Sequence, residues 1–146
     1  MRICLQGSKI GEHFQIELPE RTKIAGDRDW DDGYGILARL TIAAGCLHAQ
    51  LDEIPVVPDA LYYFRDQLTR CYEWLQGEAR YQPLIEEKLE FSARMTQQGK
   101  GMLTGCIRKI HAETMRVEFE VETDQSCFPS VIQEIDALEE EYRAVQ

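Results

Sequence analysis

Residues 115–122, MRVEFEVE, alternate without a break. Met115, Val117, Phe119 and Val121 fall on one side of an extended chain. Arg116, Glu118, Glu120 and Glu122 fall on the other. A strand has a side-chain period of two, so a slip of one residue would bury the three glutamates. The segment is therefore a strand with one wet face, and antiparallel sheets are the kind that leave a face in water. The rest of the chain must then supply partner strands of the same polarity and something apolar to cover the dry face.

Further strands are legible by the same rule. Phe14, Ile16 and Leu18 share one face in EHFQIEL. Ile36, Ala38, Leu40 and Ile42 share one face of the next strand, which a tight turn at 43–45 joins to a third marked by Leu47, Ala49 and Leu51. Leu89, Phe91, Ala93 and Met95 point inward from another strand. QQGKG then turns the chain into an antiparallel partner over about 102–112. The apolar parity of that partner changes between Ile107 and Ile110, which predicts a β-bulge near Arg108 and Lys109.

Two helices interrupt the strands. Pro55 and Pro58 break the extended pattern, and Pro58-Asp59 suits a helix start. Leu61, Phe64, Leu68, Cys71, Tyr72 and Leu75 then recur at steps of three and four, with Tyr62, Asp66, Thr69 and Glu73 facing away and Gly77 ending the helix. In SCFPSVIQEIDALEEEY, Ser126 is the expected cap, and Phe128, Ile132, Ile135, Leu138 and Tyr142 form the apolar stripe. The expected architecture is a single α+β domain over 1–146: one antiparallel sheet of about six strands, with two amphipathic helices packed on its one apolar face. A chain of this length can bury about 68–70% of its unfolded surface, so it needs no staple.

Charge narrows the function. The formal net charge is −10 and the pI about 4.8. A nucleic-acid binder carries a basic footprint that this composition lacks, and an acidic protein is steered towards basic partners. Cys4, Cys46, Cys71, Cys106 and Cys127 are odd in number and lack zinc-site spacing. The opening residues carry no apolar leader segment, and no apolar run is long enough to cross a membrane. These features predict a cytoplasmic protein with reduced, mostly buried thiols and no cofactor.

No catalytic motif stands out: there is no G-x-S-x-G, no H-E-x-x-H, and no phosphate-binding loop in QQGKGMLTG. GDRDWDDGYG, at 26–35, opens like a calcium loop. Counted from Asp27, however, position 6 is Asp32 where glycine is needed, and position 12 is Ala38 where a bidentate glutamate is needed. The stretch is better read as an acidic, tryptophan-bearing surface, with Asp27, Asp29, Trp30, Asp31 and Asp32 as candidate partner contacts. His13, His48 and His111 are separated in sequence, and a metal-binding enzyme would have to assemble them from adjacent strands.

The strongest candidate surface is the row Glu118, Glu120 and Glu122. A strand holds such residues about 6.6–6.8 Å apart. From residue 113 onward the chain carries ten acidic side chains against two basic ones. Cross-strand pairing with Lys88, Arg94, Arg108 or Lys109 is one explanation of the row, and a docking surface for a basic partner is the other.

Three segments carry a resemblance to a known family: RDW at 28–30, YYFRDQLTRCYEWLQGEARYQPLIEEKLEFSARMTQQGKG at 62–101, and MRVEFEVETDQSCFPSVIQEIDALEEEY at 115–142. A helix of the form F-R-x-x-L-x-x-x-Y-x-x-L-x-G-E-A, closing on a strand, and a glutamate-rich strand leading through D-Q-S into a last helix resemble the WapI-type immunity proteins of bacterial polymorphic toxin systems. The resemblance spans Arg28 to Tyr142. It implies a non-enzymatic cytosolic protein that binds a cognate toxin domain, often a nuclease, and blocks it, and it assigns no binding residue. A structural or regulatory module with an unrelated protein partner is the alternative that the residues alone leave open.

Overall fold

The computed structural model of the chain describes residues 1–20, 35–83, 88–110 and 114–144. In chain order the elements are β1 (Arg2–Gln6), β2 (His13–Glu17), β3 (Ile36–Ala44), β4 (Leu47–Val56), helix α1 (Pro58–Trp74), β5 (Glu78–Tyr81), β6 (Leu89–Met95), β7 (Lys100–Ile110), β8 (Thr114–Asp124), a 3₁₀ turn (Gln125–Cys127) and helix α2 (Phe128–Ala144). The class is α+β, as expected. The sheet is not one of about six strands but two antiparallel sheets of four, ordered β1-β2-β3-β4 and β5-β6-β7-β8. Two strands escape the sequence pattern, β1 and β5, because each turns only two residues inward, Ile3 and Leu5 in one and Ala79 and Tyr81 in the other.

Both dry faces meet in one hydrophobic core. Phe14 of the first sheet lies 5.2 Å from Phe91 and 5.1 Å from Phe119 of the second, centroid to centroid. Phe91 also packs edge-on against Phe64 of α1 at 4.9 Å and stacks on Tyr81 at 4.8 Å. Edge-to-face and offset aromatic pairs add about 0.5–1.5 kcal/mol each beyond the area they bury. Phe64, Leu68, Phe91, Phe119 and Ile135 all belong to this core, as the alternation required.

The helices do not share one sheet face. α1 lies along β5 and β6, α2 lies along β1, and the two helices pack on each other. α1 therefore has two dry sides. Tyr62, expected to face away, is buried against α2, with the guanidinium groups of Arg65 and Arg143 over its ring at 5.7 and 5.5 Å. Arg65 bonds Asp136 at 3.0 Å and also Glu139, and Arg143 bonds Glu139 at 2.9 Å. Tyr72 and Leu75, expected inward, are exposed, because Cys71 is the last residue of the helix that the core reaches.

Three local expectations change. The pairing of β7 with β8 runs unbroken from Lys100↔Asp124 to Ile110↔Thr114, so there is no bulge near Arg108 and Lys109. The break lies instead between β3 and β4, where Ala38 pairs Ile54 but Leu40 pairs Leu51, and Glu53 takes a positive φ of 59°. That bulge reverses the parity of β4, so Leu51, Ile54 and Val56 all face inward and the strand continues through Pro55. Ahead of α2, Asp124 caps the 3₁₀ turn, its carboxylate accepting the Ser126 N–H at 2.8 Å, and Ser126, expected to cap the helix, lies inside that turn. The cysteines are all free, but only Cys71 is buried, and Cys46 is exposed.

Candidate functional site: the outer face of the second sheet

The outward residues of β5 to β8 form rows across the sheet. One row runs Arg80, Ser92, Thr104, Glu120; the next runs Glu78, Arg94, Met102, Glu122. In the first of these rows the small Ser92 and Thr104 occupy the middle strands and the long Arg80 and Glu120 the flanks. The Ser92 and Thr104 hydroxyls share a hydrogen bond of 2.8 Å at the centre. The result is a trough of about 610 Å³, walled by Arg80 and Gln82 on one side and by Glu118 and Glu120 on the other. Four strands at about 4.8 Å spacing place the two walls about 14 Å apart.

The trough is mainly acidic, with Glu78 and Glu90 lining it as well as Glu118 and Glu120. Arg80, held by Glu78 at 3.2 Å, marks the β5 side. Glu118, Glu120 and Glu122 mark the β8 side, and all three are exposed and point outward. Glu118 is partly neutralised by Arg116 of its own strand, whose Nε donates to its carboxylate at 2.9 Å, and Cys106 Sγ of β7 approaches it at 3.9 Å. Glu120 and Glu122 stand opposite Thr104 and Met102. Among the described residues neither forms an ion pair. The cations considered as cross-strand partners do not sit directly opposite these two: Arg94 is in the row of Glu122 but one strand further away, and Arg108 pairs with Arg116.

An aromatic rim flanks the β5 side. Tyr63, Gln67 and Trp74 lie at helical spacing on one side of α1, and Tyr63 and Trp74 are 64% and 69% exposed. The Gln67 amide fixes this stripe against the sheet. Its Nε2 donates to Arg80 O at 3.1 Å, and its Oε1 accepts from Arg80 N–H at 3.2 Å, the two bonds a neighbouring strand would make. Sequence reasoning missed this rim because β5 was not recognised and the exposed tryptophan was sought at Trp30. The signal was Tyr63, Gln67 and Trp74 on a face with no other large apolar residue.

Asp27, Asp29, Trp30, Asp31 and Asp32 lie outside the described residues, so the calcium-loop question rests on the sequence. His13 and His48 flank Ala43 from either side, in one row across β2, β3 and β4, while His111 is outside the described residues. Among the described residues no group of three or more His, Cys, Asp or Glu is placed to hold a metal ion. No helix among them is long and apolar enough to cross a membrane. This face presents an acidic row at a fixed strand spacing, central hydroxyls and exposed aromatic rings beside them, groups suited to holding a basic surface.

Residues 4–143 match the model of the family described as immunity protein WapI-like, so β2 and the Cys4–Gln6 part of β1, which precede the region of resemblance seen in the sequence, lie within the family pattern. No curated protein and no solved structure matches the chain.

Proposed function

Since this chain belongs to the WapI-like immunity protein family, we propose that it neutralises a cognate toxin domain by binding it, without chemistry of its own, in the cytoplasm of the producing cell. The toxin domain is basic, as a nuclease would be, and docks on the β8 side of the trough. The observation that carries this reading is the row Glu118, Glu120 and Glu122, exposed on alternate positions of one strand, with the last two free of ion pairs among the described residues. Asp27, Asp29, Trp30, Asp31 and Asp32 form a second acidic contact in the same reading.

Electrostatic attraction acts mainly on encounter. It lifts association from about 10⁵–10⁶ to 10⁸–10⁹ M⁻¹s⁻¹ and fades as salt shortens the Debye length. Changing Glu118, Glu120 and Glu122 together to Lys slows association with the cognate toxin domain, most strongly at low ionic strength and little near 1 M salt. The control is Glu73→Lys with Glu140→Lys, both exposed on the helices. Glu139 is unsuitable as a control because it ties Arg65 to Arg143. Stopped-flow mixing measures the rates. An unchanged low-salt rate in the folded triple variant removes the row from the interface, and a wild-type chain that fails to protect cells from the toxin removes the reading altogether.

A further inference from the structure

Among the described residues the two sheets have four edges, and three are partly covered or interrupted by recognisable devices. At β1, the Cys4 N–H donates to the Glu134 carboxylate of α2 at 3.4 Å. At β5, the Gln67 amide takes both backbone groups of Arg80. At β4, the bulge, the positive φ of Glu53 and Pro55 interrupt the row of donors and acceptors. The fourth edge, β8, has eleven residues, an unbroken register and no proline.

The direction of its backbone groups follows from two bonds. Gln125 N–H reaches Gly99 O, so odd-numbered residues face β7. Glu122 O instead accepts from Ser8 N–H at 2.7 Å, so even-numbered residues face the edge. Ser8 closes the edge at Glu122 only. The N–H and C=O groups of Arg116, Glu118 and Glu120 point outward and have no backbone partner among the described residues.

We propose that this edge receives an extended segment of the partner as an added strand, with Lys or Arg alternating with apolar residues. The proposal rests on the toxin-binding reading for the identity of the partner, and on β8 for the pattern. An added strand places its outer side chains about 4.5–5.5 Å from Glu118 and Glu120, where cations are favoured. Its inner side chains lie beside Val117, half-buried, and Met115, which points to the dry side yet is 51% exposed, so apolar residues are favoured there. A second copy of this chain is a poor occupant. Every antiparallel two-fold register centred between Glu118 and Glu122 sets at least one glutamate against another.

The probe is the capped peptide Lys-Val-Lys-Val-Lys-Val-Lys, added to ¹⁵N-labelled protein. The amides of Arg116, Glu118 and Glu120 exchange with solvent about tenfold more slowly or slower still in its presence, while those of Val117 and Phe119 keep the rates β7 already imposes. The same peptide N-methylated at alternate residues, on the edge-facing amides, gives no protection. Glu120→Pro, which removes an outward N–H and no bond to β7, abolishes the effect, and Glu120→Gln weakens it without abolishing it. Equal protection by the N-methylated peptide means attraction by charge alone and overturns the proposal. So does protection that rises with protein concentration in the absence of peptide, which would assign the edge to a second copy. If Glu120→Pro neutralises the toxin as well as wild type, edge pairing is wrong and the toxin-binding reading stands. If wild type binds the peptide in this manner but protects against no toxin, the edge is real and that reading falls.

Discussion

Gly105 sits in β7 between Phe91 and Phe119, in a row of inward positions. A β-carbon there would lie 2.4 Å from two ring carbons of Phe119. The missing side chain lets that ring lie across β7, where it reaches Phe14 of the other sheet. The ring is held by the aromatic cluster and cannot swing away cheaply. Gly105→Ala is therefore expected to cost about 1–3 kcal/mol, read by urea unfolding. Combining it with Phe119→Leu should recover part of the loss, because the two changes share one space. Tyr81 is the other decisive residue. Its hydroxyl oxygen accepts the Val57 N–H at 2.9 Å, just ahead of α1. Burial pushes the hydroxyl from its usual 10 up to about 12, against a smaller opposite pull from that N–H. The folded state thus holds the proton more tightly than the unfolded chain. This contribution to stability is complete below pH 10 and is lost as pH rises towards 12. Urea midpoints should fall across that window in wild type, and Tyr81→Phe should lower the midpoint at pH 8 while flattening its alkaline decline.

At the scale of elements, α1 ends on a residue poorly suited to its place. Leu75 is the C-cap, in the left-handed region at φ 54° and ψ 32°, and its side chain is exposed. A side chain in that region costs about 1–2 kcal/mol. Leu75→Gly relieves it and gives up little packing, so a gain of about 1 kcal/mol is expected, less the entropy of a more flexible unfolded chain, measured as a higher thermal midpoint. The elements themselves were largely legible. The alternation of Phe14-Ile16-Leu18, Leu89-Phe91-Ala93-Met95 and Phe119-Val121 is reproduced residue by residue in the buried set. Single-face patterns fail where an element has two dry sides, as α1 has at Tyr62, and where a bulge changes parity, as β4 does after Leu51. Short strands fail for another reason: Glu78–Tyr81 offers only two inward residues, too few to show a period.

For the whole molecule, periodicity says which face of a strand is dry and nothing about which strands are neighbours. One sheet or two was therefore not decidable from alternation, and the answer lies in Phe14 meeting Phe91 and Phe119 across the core. The same limit governed the site. The glutamate row was visible because one strand carries it. The trough was not, because its walls come from β5 and β8, which lie about 40 residues apart in the chain and are brought together only by sheet order. The bond from Cys4 N–H to Glu134 has a consequence in time. It joins residues separated by 130 positions. At about 5–20 residues per second, the ribosome reaches the second partner roughly 7–26 s after the first. Throughout that interval the outer donors of β1 face the cell with no cover from α2. The first sheet thus gains this cover only after that interval, and α2 acts as a latch that closes its β1 edge late.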